Sequence, residues 1–162
     1  MRAVVQRVRS ASVSVAGEHI AEIGAGLVVL LGVGAADHAE DGERLAHKIG
    51  DLRILADDAG RMNRSAREQS APVLVVPQFT LYADLRHGRR PDFTTAAPPE
   101  LGRRLFEVFC GSLRAQELRV ASGRFGAHME IDLVADGPVT IVASTDAWPE
   151  AEIGLKGTAH HE

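Results

Sequence analysis

The chain reads as an α/β protein in which helices cover one side of a layered, mostly β core. Three observations predict this. Short segments of apolar or alternating residues recur between turn signals, and two longer segments, residues 45–52 and 101–113, repeat their apolar residues at helical spacing. The two kinds run in the order strands, helix, strand, helix, strands. With 162 residues, 45% of them hydrophobic, there is enough apolar surface for one sizeable core, and the length suits one soluble domain.

Residues 2–9 mix Val4, Val5 and Val8 with Gln6, Arg7 and Arg9, as a partly buried strand does. Ser12, Val13, Ser14 and Val15 alternate, Ala16-Gly17-Glu18 supplies a turn, and residues 19–23 return, which makes a hairpin. Residues 26–34, GLVVLLGVG, form an apolar run bounded by glycines, expected of a strand covered on both faces. Asp37-His38-Ala39-Glu40 then reads as a capping box, with Asp37 accepting from the first-turn N–H groups and Glu40 reaching back. Leu45, Ile49 and Leu52 follow on one helical face. Gly32-Val33-Gly34, between strand and helix, imitates the start of a dinucleotide-binding turn, but Asp37 stands where the third glycine belongs and would repel a pyrophosphate.

Residues 53–56 read as a short strand and Asp57-Asp58-Ala59-Gly60 as the turn after it. Pro72 opens the stretch on which the chain is organised, residues 73–82, VLVVPQFTLY. Pro77 has no N–H to give a ladder, so the strand ends or bulges there and turns Gln78, Phe79 and Thr80 outward. A polar Gln and Thr at the exit of an apolar strand, with free backbone N–H groups, suit a small pocket for a carbonyl or an oxyanion. A plain Pro-ended edge strand fits the same pattern.

Pro91 and Pro98-Pro99 mark a long surface connection, with Pro99 suited to the first turn of a helix on which Leu101, Leu105, Val108, Phe109 and Leu113 share a face. Cys110 beside them reads as a small buried hydrophobe. Residues 118–121 are a strand and Ser122-Gly123 a turn. Met129, Ile131 and Leu133 alternate with Glu130 and Asp132 in a strand with one wet face, and Asp136-Gly137-Pro138 separates it from a last strand, residues 139–143. One domain over residues 1–146 is expected, followed by a mobile tail at 147–162.

Composition narrows the function. Net charge is −4, from 18 Lys plus Arg against 22 Asp plus Glu, which argues against a protein that coats nucleic acid indiscriminately, and no DNA partner is expected. Local basic patches remain: Arg86, Arg89 and Arg90 crowd one loop, Arg61, Arg64 and Arg67 another, either as solvated surface or, for the first, as a phosphate contact. One cysteine leaves no intrachain disulfide and no cysteine cluster for zinc. No signal-peptide h-region or membrane-length apolar run occurs, so a cytoplasmic protein is expected. The sequence contains no GxSxG, no HExxH and no Ser-His-Asp order. Its seven histidines, His128 among them, are scattered and read as surface or satisfied side chains.

The strings QFTLY, GRFGAHM and GPVT, with a basic loop after the first and MRAVVQRVRSASV at the start, occur together in order. In this they resemble the D-aminoacyl-tRNA deacylase family over residues 1–145. The resemblance implies a homodimer of α/β/β layering, with a barrel-like, two-sheet β core and helices on one side. It implies hydrolysis of the ester of D-aminoacyl-tRNA, and of glycine mischarged on alanine tRNA, without metal or other cofactor. Main-chain groups of Gln78, Phe79 and Thr80 would hold the ester and the 3′ adenosine, whose 2′-OH helps catalysis. Thr80 as a nucleophile would need an adjacent base, so an orienting hydroxyl is the favoured reading. Gly137-Pro138 would be cis and reach into the partner's pocket, where its carbonyls clash with any L-side chain, and Arg7 would brace it; the sequence itself leaves cis and trans open.

Two positions depart from the family pattern: Pro77 replaces a serine before Gln-Phe-Thr, as in the animal-type deacylase that removes L-alanine, and Ala135 replaces an asparagine before Gly-Pro. Relaxed chirality toward L-alanyl-tRNA is therefore an alternative. A non-catalytic RNA-binding module using the arginine loops is another, and a nucleotide-dependent oxidoreductase built on Gly32 and Gly34 a third.

Overall fold

Two long strands frame the computed structural model, which describes residues 1–146; the tail expected at 147–162 lies outside the described residues. In chain order the elements are β1 (Arg2–Val15), β2 (Glu18–Ile23), β3 (Gly26–Gly32), α1 (Ala39–Gly50), β4 (Leu55–Ala56), β5 (Met62–Arg64), α2 (Ala66–Gln69), β6 (Val73–Pro77), a 3-10 turn (Phe79–Tyr82), α3 (Pro99–Ala115), β7 (Val120–Ser122) and β8 (Glu130–Ser144). The order β2-β1-β3-β6-β7, with β8 on the other edge of β1, makes one six-stranded sheet. β4 and β5 form a separate two-stranded ribbon.

The sheet curls into a nearly closed barrel. Its concave side holds Val8, Val13, Ile23, Val28, Leu74 and Val76, while Val5, Leu27, Val29, Leu31, Val73 and Val75 point the other way into a core closed by α1 and α3. This alternation follows from the period of two along a strand, so β3 and β6, apolar at every position, are covered on both faces as expected. Phe109, Leu105 and Leu113 of α3 are fully buried, each stabilising the fold by about 1.5–3 kcal/mol. Cys110 lies among them, its thiol pushed up to about 12 by burial, in keeping with a hydrophobe.

Two expectations about the sheet are corrected. The β core is one sheet and not two, because the segment read as a strand plus a hairpin arm is a single 14-residue strand, β1, that bends through register shifts and pairs β3 near its start and β2 near its end. Asp136-Gly137-Pro138 is likewise not a turn between two strands. β8 runs through it, paired to β1 on both sides, with Gln6 opposite Thr140 and Val8 opposite Ala135. Only Arg7 faces residues 136–139, which loop out as a bulge. Beyond it a second shift, between Val8 and Ser10, sets the pairing at Ser10 opposite Val134, displaced by two residues from the Arg2–Ser144 register. The two arms of β8 face different cores: Val139, Ile141 and Ala143 pack on the helix side and Ile131 on the concave side.

The expected capping box is also shifted by one residue. His38 is the N-cap of α1, and its N–H donates to Asp41 Oδ2 at 2.9 Å. Asp37 is instead buried, 6% exposed, and accepts from the Met1 ammonium at 2.6 Å, from Gly34 N–H at 2.6 Å and from the Tyr82 hydroxyl at 3.2 Å. Thr145 Oγ1 also accepts from the ammonium, Asp146 lies 3.9 Å from it, and the Arg2 guanidinium sits 4.4 Å from the centre of the Tyr82 ring. Gly34 must be glycine here, since a Cβ would stand 2.7 Å from that ring. The Gly-Val-Gly turn thus packs against Tyr82 and binds a carboxylate of the chain itself, which disposes of the dinucleotide reading.

Breaking a buried ion pair from one side leaves the other charge uncompensated. Asp37→Asn should therefore lower unfolding free energy by about 3–5 kcal/mol in urea titrations, and a loss under 1 kcal/mol would show that the carboxylate does not neutralise the ammonium. Burial, with the Asp37 and Asp146 carboxylates, pushes the Tyr82 phenol above its ordinary 10.0. The native state then keeps a proton that the unfolded chain releases, so this contribution is complete below pH 10 and is lost above it. Stability should fall by up to about 1.4 kcal/mol per pH unit above pH 10, and Tyr82→Phe should flatten that slope in the same titrations.

Candidate active site

β6 is an interior strand, parallel to β3 on one side and β7 on the other. β7 pairs only as far as Val75, so Pro77 stands past its end, opposite Leu31 of β3 alone, where a missing donor leaves no gap in a ladder. Gln78 N–H adds one last bond to Leu31 O at 2.8 Å. The chain then winds into the 3-10 turn, with Leu81 N–H donating to Gln78 O and Ala83 N–H to Thr80 O. Tyr82 turns inward to the Asp37 cluster, whereas Phe79 turns outward, 58% exposed. The strand therefore ends at Pro77 and delivers residues 78–80 to the surface as the sequence predicts, although the Gln78 amide is not free.

A cavity of about 580 Å³ opens beside this turn. Leu31, Val33 and Val76 form its base, Gln78 and Phe79 one side, Pro99, Gly102 and Phe106 of α3 another, and the segment from Phe125 to Met129 a third. Four of the chain's five phenylalanines line it. Phe79 meets Phe93 edge to face, 5.2 Å between centroids, and Phe125 lies 6.2 Å from Phe106. Gly102 makes room for Phe125, since a Cβ there would lie 3.1 Å from its Cζ.

Polar groups at the cavity are few. The N–H groups of Phe79 and Thr80 open the 3-10 turn, where no intrahelical carbonyl is available, and donate to no other backbone carbonyl among the described residues. The Gln78 side-chain amide donates to Thr80 Oγ1, which leaves the hydroxyl proton of Thr80 to donate outward. No carboxylate or histidine bonds to that hydroxyl among the described residues. His128 lines the cavity with no side-chain hydrogen bond among the described residues. Among the described residues, no three His, Cys, Asp or Glu side chains come together as a metal-ligand group.

Gly137, Pro138 and Arg7 lie elsewhere on the chain. The Gly137–Pro138 peptide is cis, and Gly137 has φ 121°, a conformation that favours glycine. Arg7, largely buried, ties the bulge down: Nε bonds Asp136 O at 3.3 Å and the Asp136 carboxylate at 3.0 Å, and Nη1 bonds Ile54 O at 2.7 Å. Gln6 Nε2 adds a bond to Val139 O at 3.3 Å. The bracing that an amide at position 135 might have given thus comes from β1. From Ile131, at the edge of the cavity, to Gly137 is about 20 Å along β8.

The basic loop stands on the cavity's rim. Asp84 and Asp92 exchange backbone bonds of 2.8 and 3.0 Å at its root, directly before Phe93. Arg86 is forked onto the Asp84 carboxylate at 2.6 Å and holds it well below the usual carboxylate range. Arg89 and Arg90 at the tip have no ion-pair partner among the described residues. Sequence reasoning did not single out Phe93, Phe106 or Phe125. Phe125 lies within GRFGAHM, and an aromatic before a glycine between two strands is the signal that could have found it.

The model of the D-Tyr-tRNA(Tyr) deacylase family matches residues 4–144. A D-aminoacyl-tRNA deacylase of Chloroflexus aurantiacus is 56% identical over 142 residues, covering 88% of this chain and 89% of its own. One of a Roseiflexus species is 52% identical over 150 residues, covering 93% and 97%. A solved structure described as a c-Myc DNA unwinding element binding protein superposes with a TM-score of 0.85 at 40% identity, covering 91% of this chain and 100% of its own. With the family's model matching most of its length and relatives more than half identical, the chain belongs to the D-Tyr-tRNA(Tyr) deacylase family.

Proposed function

We propose that this chain hydrolyses the ester bond of D-aminoacyl-tRNA, releasing the D-amino acid and the tRNA, and that residues 1–146 form the catalytic domain. The observation that carries the reading is the aromatic cavity whose edge bears the unbonded amides of Phe79 and Thr80. An aminoacyl ester is already activated, so it needs orientation, a water and donors for the oxyanion more than a strong base. The four phenylalanine rings suit the flat face of the terminal adenosine. Water adds to the carbonyl carbon, the two amides take the oxyanion, and the bond to the ribose oxygen breaks, leaving a hydroxyl on the RNA and a free carboxylate. The adenosine 2′-OH lies beside that ester and serves as the local hydroxyl, while Thr80, oriented by Gln78, positions and does not attack. No metal or cofactor enters this reading.

Chirality would be set by a homodimer. Leu133, Val134 and Val142 of β8 are 43%, 53% and 54% exposed on an edge strand whose outer side pairs with no strand among the described residues, which supports a face covered by a second copy. The bulge is far along β8 from its own chain's cavity, and a partner's Gly137-Pro138 would complete the site with carbonyls placed against an L-side chain. Glycine, with no side chain, passes the same gate, so glycyl-tRNA mischarged on alanine tRNA is a substrate too. Arg89 and Arg90 would meet tRNA phosphates, with Arg86 held back by Asp84. Such a substrate places the protein in the cytoplasm; among the described residues, no helix is long and apolar enough to cross a membrane.

The name of the 40%-identical solved structure favours a second reading, a nucleic-acid-binding module without catalysis. The two separate by turnover of matched D- and L-tyrosyl-tRNA. Rapid release from the D-substrate alone is expected. No release, with RNA or single-stranded DNA still bound, would leave the module; comparable L-release would point to Pro77 and Ala135 and the relaxed alternative.

In Gly137→Ala the new Cβ would stand 2.8 Å from Val139 Cγ2 and 2.9 Å from its nitrogen. The variant should lose at least about tenfold in D-release with the monomer fold intact by circular dichroism, and unchanged rates would remove the bulge from the site. Arg7→Met, which removes the buried fork, should speed amide exchange at residues 136–139 and lower D-release together; exchange that rises without any change in turnover would dissociate bracing from catalysis.

A further inference from the structure

The cavity that the proposed function fills with a nucleoside contains no lysine or arginine in its lining. A 3′-terminal nucleotide cannot enter without bringing its 5′ phosphate to the rim. On the α3 side of that rim one cation is already placed. Arg103, exposed on the first turns of α3, holds its guanidinium 5.0 Å from the centre of the Phe125 ring, on the aromatic wall of the cavity. Phe125 is fixed for this by Gly102, which a Cβ would crowd, and by Phe106 behind it.

Arg103 differs from Arg86, Arg67 and Arg44 in what it faces. Arg86 is forked onto Asp84, Arg67 pairs with Asp51 at 2.8 Å and Arg44 with Asp41 at 2.7 Å. No carboxylate comes within 4.0 Å of Arg103 among the described residues, although Glu100 and Glu107 stand three and four positions away on the same helix. A guanidinium lying on an aromatic ring keeps its edge donors for an acceptor in the plane, and a phosphate is the acceptor that this fork fits best. The Phe125 ring holds the side chain at the cavity wall, so less rotamer freedom is lost when the anion arrives.

We infer that Arg103, seated on Phe125, binds a phosphodiester of the single-stranded 3′ end of tRNA as it leaves the cavity, opposite the Arg89–Arg90 side of the rim. The inference rests on the proposed function, since it takes the cavity to hold the terminal nucleoside. It makes Arg103 a positioning residue that aligns the ester through the RNA backbone and touches none of the reacting atoms.

The test compares filter binding of deacylated tRNA, intact or lacking its 3′-terminal CCA, from 50 to 200 mM KCl, using full-length wild type, Arg103→Gln, Arg103→Lys and Arg104→Gln. Arg104 is also exposed and one position on, without a ring beneath it among the described residues. Arg103→Gln should weaken binding of intact tRNA about fivefold to tenfold at 100 mM KCl and reduce the slope of log K against log salt by about 0.7, one phosphate on a single strand. It should leave binding of the truncated tRNA unchanged. Arg103→Lys should keep the slope, and Arg104→Gln should match wild type in the difference between the two RNAs. Equal binding and slope for wild type and Arg103→Gln would overturn the inference, as would equal losses on both RNAs, which would make Arg103 a general surface charge. A lower melting temperature with an unchanged slope would assign it to packing alone and overturn it equally. Turnover of D-tyrosyl-tRNA by wild type, measured alongside, judges the deacylase reading separately: its absence would sink that reading while the binding comparison still decides where the RNA end lies.

Discussion

The pairing of β1 with β8 is the constraint to which the rest of the molecule refers. β1 gives one edge to β3 and β2 and the other to β8, so three strands are paired to it among the described residues. The larger of its two mismatches with β8, Arg7 against residues 136–139, puts Gly137 and Pro138 outside the ladder while the strands on either side stay paired. A bulge of this size, left alone, would have unsatisfied carbonyls and a free choice of conformation. The Arg7 guanidinium removes both problems at once by bonding Asp136 within the bulge and Ile54 at the foot of the β4–β5 ribbon. One largely buried side chain therefore makes a projecting loop into a fixed shape.

A second junction fixes the turn beside the cavity. The 3-10 turn has only four residues, too few to be stable by themselves. Its outward face is usable because its inward face is anchored: Tyr82 reaches Asp37 and Asp146, Arg2 stacks on the ring, and Asp37 holds the Met1 ammonium and the Gly34 amide. Met1, Gly34 and Tyr82 converge on the Asp37 carboxylate, and Asp146 of the last described segment meets the same tyrosine. The amides of Phe79 and Thr80 are held in place from behind, by groups that never approach the cavity.

Much of this was legible in the sequence where a local rule decides the outcome. The apolar run ending in Pro77 predicts the strand end and the outward turn of Phe79 because a proline's missing donor acts on its own residue. The helical faces of α1 and α3 follow from spacing alone. What the sequence hid were contacts between distant segments. Asp37 has the chemistry of a cap, but an ammonium 36 residues away competes for it and wins, and capping moves to His38 and Asp41. Asp136-Gly137-Pro138 has the chemistry of a turn, yet β1 offers a partner on both sides of it, and the strand continues. Phe93 and Phe125 stand in segments without periodicity, and only the folded chain brings them to one cavity. In the resemblance to a known family, GPVT was legible as a motif, but the arginine fork that holds it was not legible as geometry.

The place of the β8 bulge has a consequence for how such a chain can change length. Three residues of register are taken up between the Gln6–Thr140 and Val8–Ala135 pairs and one is given back between Val8 and Ser10, so each arm of β8 keeps its own register with β1. Residues 136–139 lie outside the ladder, and a residue added or removed among them would resize the projection without shifting either arm. A residue added within an arm would instead send the side chains beyond it to the other face of the sheet. Length can thus vary at the projection, while the pleat closes the strands that carry it to the same change.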